Sequence, residues 1–324
     1  MAEITQRTIA ANGINIRIAE AGSGPLVLMV HGFPESWYSW RHQIKALADA
    51  GYHAVAPDVR GYGGTDAPHP VEAYSMRQIV ADQVGTLDAL GAKTATVFGH
   101  DWGAPIAYNC ALLAPDRFTA VGGLSVPYTG RAPMKPTDMM KAVFANRFFY
   151  ILYFQEEGVA EAELEADPAK TMRLFMYSAS GDMPRPPADD ATFWQKPADA
   201  KFLDGLPEPE KLPAWLTQED LDYYAGEFKR KGFRGPLNRY RNIDGDWSDL
   251  PELQGKKLEQ PSVFIAGEAD GVLVMAPTAI DTMRQNAPKL TNVVLIPKVG
   301  HWVQQEAPEE TTAAMLEFLK GLPA

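Results

Sequence analysis

Five consecutive residues, Gly99-His100-Asp101-Trp102-Gly103, have the form Gly-x-nucleophile-x-Gly. They stand between "TATVFGHD", which reads as a strand, and "GAPIAYNCALLAP", which reads as a helix. Small residues there permit a sharp strand-to-helix turn that lifts the central side chain above a sheet, because a Cβ would collide in so tight a bend. The central residue is an acid, not an alcohol. A serine must lose a proton before it attacks, so a histidine must serve it. A carboxylate, with an ordinary pKa near 3.9, is already ionised at neutral pH. The histidine is then free for a second step. Attack on an sp³ carbon gives an alkyl ester, and a histidine-activated water cleaves it. The competing reading is that Asp101 simply caps the helix starting at Gly103, a position Asp favours.

Two more residues fall where such a nucleophile needs them. Asp270 ends "FIAGEAD", just past a strand-like run, and His301 follows "VVLIPKVG" in the same way. Nucleophile, acid, histidine is the chain order of the triad in α/β-hydrolases, which this arrangement resembles. Open α/β sheets bind ligands at the C-terminal ends of their strands. Asp101, Asp270 and His301 are therefore expected to converge, with Asp270 holding the imidazole tautomer and His301 deprotonating water. Singly, Asp270 also suits a helix cap, and His301 is one of six histidines. The other strand end open to an acid reads "SVPYTG", without a carboxylate, which favours Asp270.

"MVHGFPESW" places Phe33 at the end of another strand. Its backbone N–H, with that of Trp102, is expected to form an oxyanion hole; a plain strand-to-loop turn is the alternative. Pro34 is a candidate for a cis bond. Glu35 either orients the hydrolytic water or His301, or has a surface or structural role. Phe33, Trp37, Tyr38 and Trp102 are expected to line an apolar pocket near Asp101, whereas Trp40 suits core packing equally well.

These residues need a frame. "RTIAANGINIRIAE" reads as a hairpin turning at Asn12-Gly13, with Ile14, Ile16 and Ile18 inward. Strand-like runs follow at "LVLMVHG", "HAVAPD", "TATVFGHD" and "FTAVGGLS", and again at "PSVFIAGEAD" and "TNVVLIP". Helical patterns lie between them and at the end, near "PEETTAAMLEFLKGL". The alternation predicts an α/β fold with a mostly parallel central sheet flanked by helices. Residues 131–247 lack clean strands and read as helices with long loops, including the breaker-dense "GDMPRPPADD" at 181–190. The expectation is a core of residues 1–130 and 248–324 with a helical lid, or cap domain, of residues 131–247.

Composition narrows the partners. A formal charge of -11 argues against nucleic acid or an anionic membrane, both of which favour a basic face. The apolar runs are too short to span a bilayer, and "MAEITQRTIAANG" lacks the features of a signal peptide. The single cysteine, Cys110, lies in an apolar helical segment and reads as a small buried hydrophobe, which fits a reducing compartment. A cytoplasmic monomer or homodimer is expected. No metal-ligand cluster and no dinucleotide fingerprint fits, so neither a metal nor a cofactor is expected.

Chemistry beyond the triad depends on the lid. An epoxide leaves as a strongly basic alkoxide and needs a neutral acid over its oxygen; tyrosine, with pKa about 10, can donate. Spacing does not choose among Tyr150, Tyr153, Tyr177, Tyr223, Tyr224 and Tyr240. The segments "HGFPESWYSWRHQI", "DVRGYG", "GHDWGA", "YILYFQEEGVAEAELE", "NRYRNID" and "GHW" together resemble the soluble epoxide hydrolase family, over nearly the whole chain from about Arg7. The resemblance implies an α/β-hydrolase fold and conversion of a small apolar epoxide and water to a vicinal diol. It also implies that Tyr150 and Tyr240 grip the epoxide oxygen, with Asp101, Asp270 and His301 as the triad. This chain is too short for the extra N-terminal domain of the mammalian enzymes and looks more like single-unit bacterial and plant members. A haloalkane or haloacid dehalogenase of the same fold is the alternative enzyme, although Phe33 counts against a haloalkane site. A non-catalytic ligand-binding protein is the third reading.

Overall fold

The apolar–polar alternation around Asn12-Gly13 folds as a hairpin. Strands β1 (Thr5–Ala11) and β2 (Ile14–Ala21) pair antiparallel, with Ala11 opposite Ile14. Asn12 and Gly13 take φ of 47° and 76°, the left-handed pair that matches the twist of a two-residue hairpin. Ile16 and Ile18 are buried and Ile14 half-buried, as the alternation implies. The computed structural model describes residues 2–184 and 196–323, so most of the Pro-rich 181–190 loop, from 185 on, lies outside the described residues.

The remaining strands are β3 (Leu26–Val30), β4 (His53–Pro57), β5 (Ala95–His100), β6 (Phe118–Leu124), β7 (Ser262–Gly267) and β8 (Leu290–Ile296). They form one sheet in the order β1-β2-β4-β3-β5-β6-β7-β8. From β4 to β8 the neighbours are parallel; β2 joins β4 antiparallel. Every residue of β3, β5 and β7 is buried, which explains their unbroken apolar runs: a central parallel strand is covered on both faces. Helices Met76–Ala89 and Gly103–Leu113 cover one face through Ile79, Leu87, Ala107 and Cys110. Burial pushes the Cys110 thiol well above its ordinary pKa, so it packs as a small hydrophobe. Helices Arg41–Asp49 and Pro308–Lys320 cover the other face through Ile44, Leu47, Met315 and Phe318.

Between β6 and β7 the chain leaves the sheet. The described residues there form helices Pro136–Phe144, Tyr150–Tyr153, Val159–Leu164, Pro168–Ser178, Gln218–Lys231, Arg234–Arg241 and Ile243–Asp249. Local sequence sets their ends. For Gln218–Lys231, Thr217 and Asp220 make a reciprocal capping box, and Gly232 stops the helix at φ 75°. Phe154, Leu164, Met172, Phe233 and Tyr240 from this insertion share one apolar cluster with Leu28 and Val97 of the sheet. The insertion thus buries its apolar side chains against the strand ends rather than around a separate centre. Among the described residues, no helix is long and apolar enough to cross a membrane.

Candidate active site

Strand β5 ends at His100 and the next helix begins at Gly103, leaving two residues for the turn. Asp101 takes φ 51°, a left-handed conformation that costs a non-glycine residue energy and marks functional sites. The turn is possible because its neighbours are glycines. A Cβ on Gly99 would lie 1.9 Å from the Gly103 carbonyl oxygen, and one on Gly103 would lie 1.9 Å from that of Val30.

The Asp101 carboxylate does not cap the helix: Trp102 occupies the N-cap position, without a side-chain bond. Oδ1 instead accepts the Phe33 N–H at 2.7 Å, and Oδ2 lies 3.3 Å from His301 Nε2. On the far side of the imidazole, Nδ1 is 3.1 Å from both oxygens of Asp270. Asp270 also accepts the Val272 N–H at 2.9 Å and so caps helix Gly271–Met275. Capping and holding the histidine are here done by the same carboxylate. The three strand ends therefore bring Asp101, Asp270 and His301 together. The Phe33–Pro34 peptide is cis, and Trp102 follows Asp101 at the head of the helix.

The charges support one another. Burial works against ionising Asp101, but His301 and the Phe33 N–H outweigh it and hold the carboxyl below the ordinary range. Burial likewise opposes charge on Asp270, and His301 and the Val272 N–H again prevail. His301 is buried too, yet Asp270 and Asp101 push its pKa well above the ordinary value. The resting site is an imidazolium between two carboxylates, titrating as a unit.

Glu35 sits behind this arrangement and is fully buried. Its Oε2 accepts from His100 Nδ1 at 2.8 Å and from the Gly32 N–H at 3.2 Å. Its Oε1 accepts from Gln304 and Gln305 side-chain amides at 2.9 and 3.0 Å. Protein donors thus fill its four lone-pair positions, so Glu35 fixes the Phe33 turn rather than holding a water. His100 bonds the His301 carbonyl through Nε2 at 2.7 Å, and Ser125 Oγ donates to the same oxygen at 2.8 Å.

Aromatic rings form the roof. Phe33 contacts Phe154, Phe175 and Tyr240, with centroids 5.7, 5.8 and 5.4 Å away. Tyr240 lies edge-on to Trp102 at 5.2 Å and 6.0 Å from Tyr150. Burial, with the Asp101 charge adding to it, pushes both tyrosine hydroxyls upward in pKa, so they stay protonated at neutral pH. Three other lid tyrosines have different partners: Tyr153 donates to Glu163 at 2.8 Å, Tyr223 stacks on Tyr38 at 4.1 Å, and Tyr224 donates to Gln305 at 3.0 Å.

Two expected pocket residues, Trp37 and Tyr38, make none of these ring contacts. Ser36 caps the short turn Trp37–Trp40 and so directs it back toward helix Arg41–Asp49. Trp37 packs in the core on the other face of the sheet, and Tyr38 joins Tyr223, Tyr224 and the Arg41 guanidinium. Conversely, sequence reasoning missed His100, Phe154, Phe175, Gln304 and Gln305. His100 lay inside the elbow motif, read as a filler position; the others have no local signal, because only the fold brings them to Phe33 and Glu35.

Residues 25–308 match the family model of the alpha/beta hydrolase fold. The chain is 50% identical to Epoxide hydrolase A of Mycobacterium tuberculosis, over 98% of each chain. It is 40% identical to Epoxide hydrolase 2 of Siraitia grosvenorii, over 99% of each. It superposes on the crystal structure of Epoxide Hydrolase A from Mycobacterium thermoresistibile with a TM-score of 0.92, at 48% identity and 99% coverage of both chains.

Proposed function

Because this chain belongs to the α/β-hydrolase family and, within it, to the epoxide hydrolases, we propose that Asp101 opens the epoxide and that His301 drives hydrolysis of the resulting ester. One observation carries the mechanism: a carboxylate held by an N–H on one oxygen and an imidazole at the other, beneath two protonated tyrosines. Oδ1 is tied to the Phe33 N–H, so Oδ2 is the attacking atom. As its bond to a ring carbon forms, the ring C–O bond breaks and the oxygen takes a proton from Tyr150 or Tyr240. The His301 imidazolium gives its proton to the tyrosinate through water; the neutral Nε2 then removes a proton from water, and the hydroxide adds to the Asp101 carboxyl carbon. Charge develops on Oδ1, facing the N–H groups of Phe33 and Trp102. Collapse releases the diol, its alkoxide taking the carboxyl proton, and leaves His301 as the resting imidazolium.

In this reading the helical insertion, residues 131–247, is a cap that supplies the acid. The aromatic roof suits a small apolar epoxide, and the lone buried Cys110 suits the cytoplasm. A halide leaves as a weak base and has no need of protonated hydroxyls, so the tyrosine pair supports an epoxide over a haloalkane.

Diol formation from styrene oxide tests the reading. Wild type should form diol, Asp101→Ala none. His301→Gln should alkylate and then stall, because losing a general base costs about 10²–10⁴-fold, leaving a covalent adduct visible by mass spectrometry. Tyr150→Phe with Tyr240→Phe should remove ring opening from a folded protein. Wild-type-like diol formation by Asp101→Ala, or halide release without epoxide turnover, would overturn the proposal.

A further inference from the structure

Glu306 has no part in the steps above, yet its carboxylate accepts three backbone N–H bonds. Oε2 takes those of Gly300 and Gly181 at 2.8 Å each, and Oε1 takes that of Trp302 at 2.9 Å. Gly300 and Trp302 flank His301; Gly181 belongs to the inserted segment. The His301 N–H itself donates to Ala179 of the insertion at 2.9 Å, and the Trp302 indole donates to Met176 at 2.7 Å. The two backbones touch directly: a Cβ on Gly300 would lie 2.3 Å from the Gly181 nitrogen. One carboxylate therefore joins both amide neighbours of the proposed base to the end of helix Pro168–Ser178, which carries Phe175 of the aromatic roof.

We propose that Glu306 is a positioning residue for the hydrolytic half-reaction, clamping the His301 loop to the insertion so that Nε2 stays aimed at the ester. The inference rests on the covalent mechanism proposed above. Its selectivity follows from charge. Before alkylation, the Asp101 carboxylate attracts the imidazolium at 3.3 Å and helps to hold it. Alkylation neutralises Asp101 and ends that attraction. His301 must then activate water while held by Asp270 and by its own loop, and this is the stage at which the clamp matters. Burial raises the Glu306 pKa and the three amides work against that rise; bonds to three amides suit the task because they fix a direction as well as a distance.

Single-turnover kinetics with styrene oxide separate the two stages, with alkylation followed by tryptophan fluorescence and the ester by mass spectrometry. Glu306→Gln keeps one carbonyl oxygen but loses the charge. It should alkylate at the wild-type rate and hydrolyse about ten- to a hundredfold more slowly, as an ångström-scale misplacement of a catalytic group does, so that adduct accumulates in steady state. Glu306→Asp, which keeps the charge but shortens the reach, should shift the same ratio less, and it serves if the Gln variant does not fold. A folded variant with an unchanged ratio of hydrolysis to alkylation, or one in which both rates fall together, overturns the assignment. Failure of both variants to fold makes Glu306 a folding residue and overturns it too. His301→Gln in parallel keeps the two ideas apart. If it accumulates no adduct, the covalent mechanism fails; if it does and the Glu306 variants do not, only this inference fails.

Discussion

The imidazole of His301 faces two carboxylates at rest and one after alkylation, and that change sets its proton affinity. Burial lowers the pKa of His301, while Asp270 and Asp101 raise it well past the ordinary value. Esterifying Asp101 removes one of the raising charges, so the imidazolium releases its proton more readily in the ester than in the free enzyme. The site turns its acid into a base at the moment a base is needed. Asp101→Asn mimics the neutral ester, and its His301 should titrate at lower pH than in wild type when the ring is followed by NMR. Equal midpoints in the two proteins would show that Asp101 does not control the histidine. The sign for stability follows from the same shifts. A raised histidine stabilises the fold below its unfolded pKa of about 6.5, and loses that contribution as pH climbs through the folded value. The lowered Asp101 and Asp270 contribute above about 3.9 and lose it as pH falls through their folded values. Behind them, both nitrogens of His100 face acceptors, Glu35 Oε2 at 2.8 Å and the His301 carbonyl at 2.7 Å. Glu35→Ala leaves that buried His100 donor unsatisfied and should cost about 1–3 kcal/mol in urea unfolding, as an unmade buried hydrogen bond does.

Glycines of one chain do different things in different elements, and substitution separates them. A Cβ on Gly13 meets nothing within 4 Å, so Gly13→Ala pays only for a left-handed φ of 76°, roughly 1–2 kcal/mol in thermal unfolding. In the elbow, a Cβ on Gly103 would sit 1.9 Å from the backbone oxygen of Val30, where no rotamer change relieves it. Gly103→Ala should therefore lose the native elbow, with Asp101-dependent turnover absent even from any soluble protein; a well-folded, active variant would contradict the packing. This contrast also explains what was legible in sequence. Asp101, Asp270 and His301 could be read because each sits at the end of a strand whose apolar run and flanking glycines are local. Tyr150 and Tyr240 could not be chosen by spacing, since their meeting depends on how two separate helices fold over the sheet. Trp37 and Tyr38 pack against Tyr223 because a four-residue turn capped by Ser36 carries them there, and no periodicity announces such a turn. Glu35 is ambiguous in sequence for a different reason: an acidic side chain looks the same whether water or four buried donors surround it.

At the scale of the molecule, the insertion is attached to the sheet in two ways. Its first half meets the His301 loop through backbone contacts and Glu306, while its second half is held by charge. Arg17 of β2 binds both Asp58 and Glu227, and Arg239 bonds the Tyr74 carbonyl and Asp246, which also accepts the Met76 N–H at 2.7 Å. Arg41 pairs with Asp220 at 3.0 Å and donates to Gln305 at 2.8 Å. Gln305 in turn donates to Glu35, which accepts the Gly32 N–H beside Phe33. A continuous chain of polar contacts thus runs from helix Gln218–Lys231 to the turn whose N–H holds Asp101. The Arg41 and Asp220 side chains are 12% and 7% exposed, so salt screens this pair far less than an open surface pair. A double-mutant cycle with Arg41→Gln and Asp220→Asn should therefore give a coupling of about 0.5–3 kcal/mol that changes little with added salt. Because the chain ends at Gly32, next to Phe33, either single variant should also slow alkylation by styrene oxide, with ester hydrolysis less affected. Additive stabilities would mean that the pair only fills space, and a coupling that vanishes in salt would mean that water reaches it. Coupling without slower alkylation would confine the tie to stability and cut it off from the chemistry of Asp101.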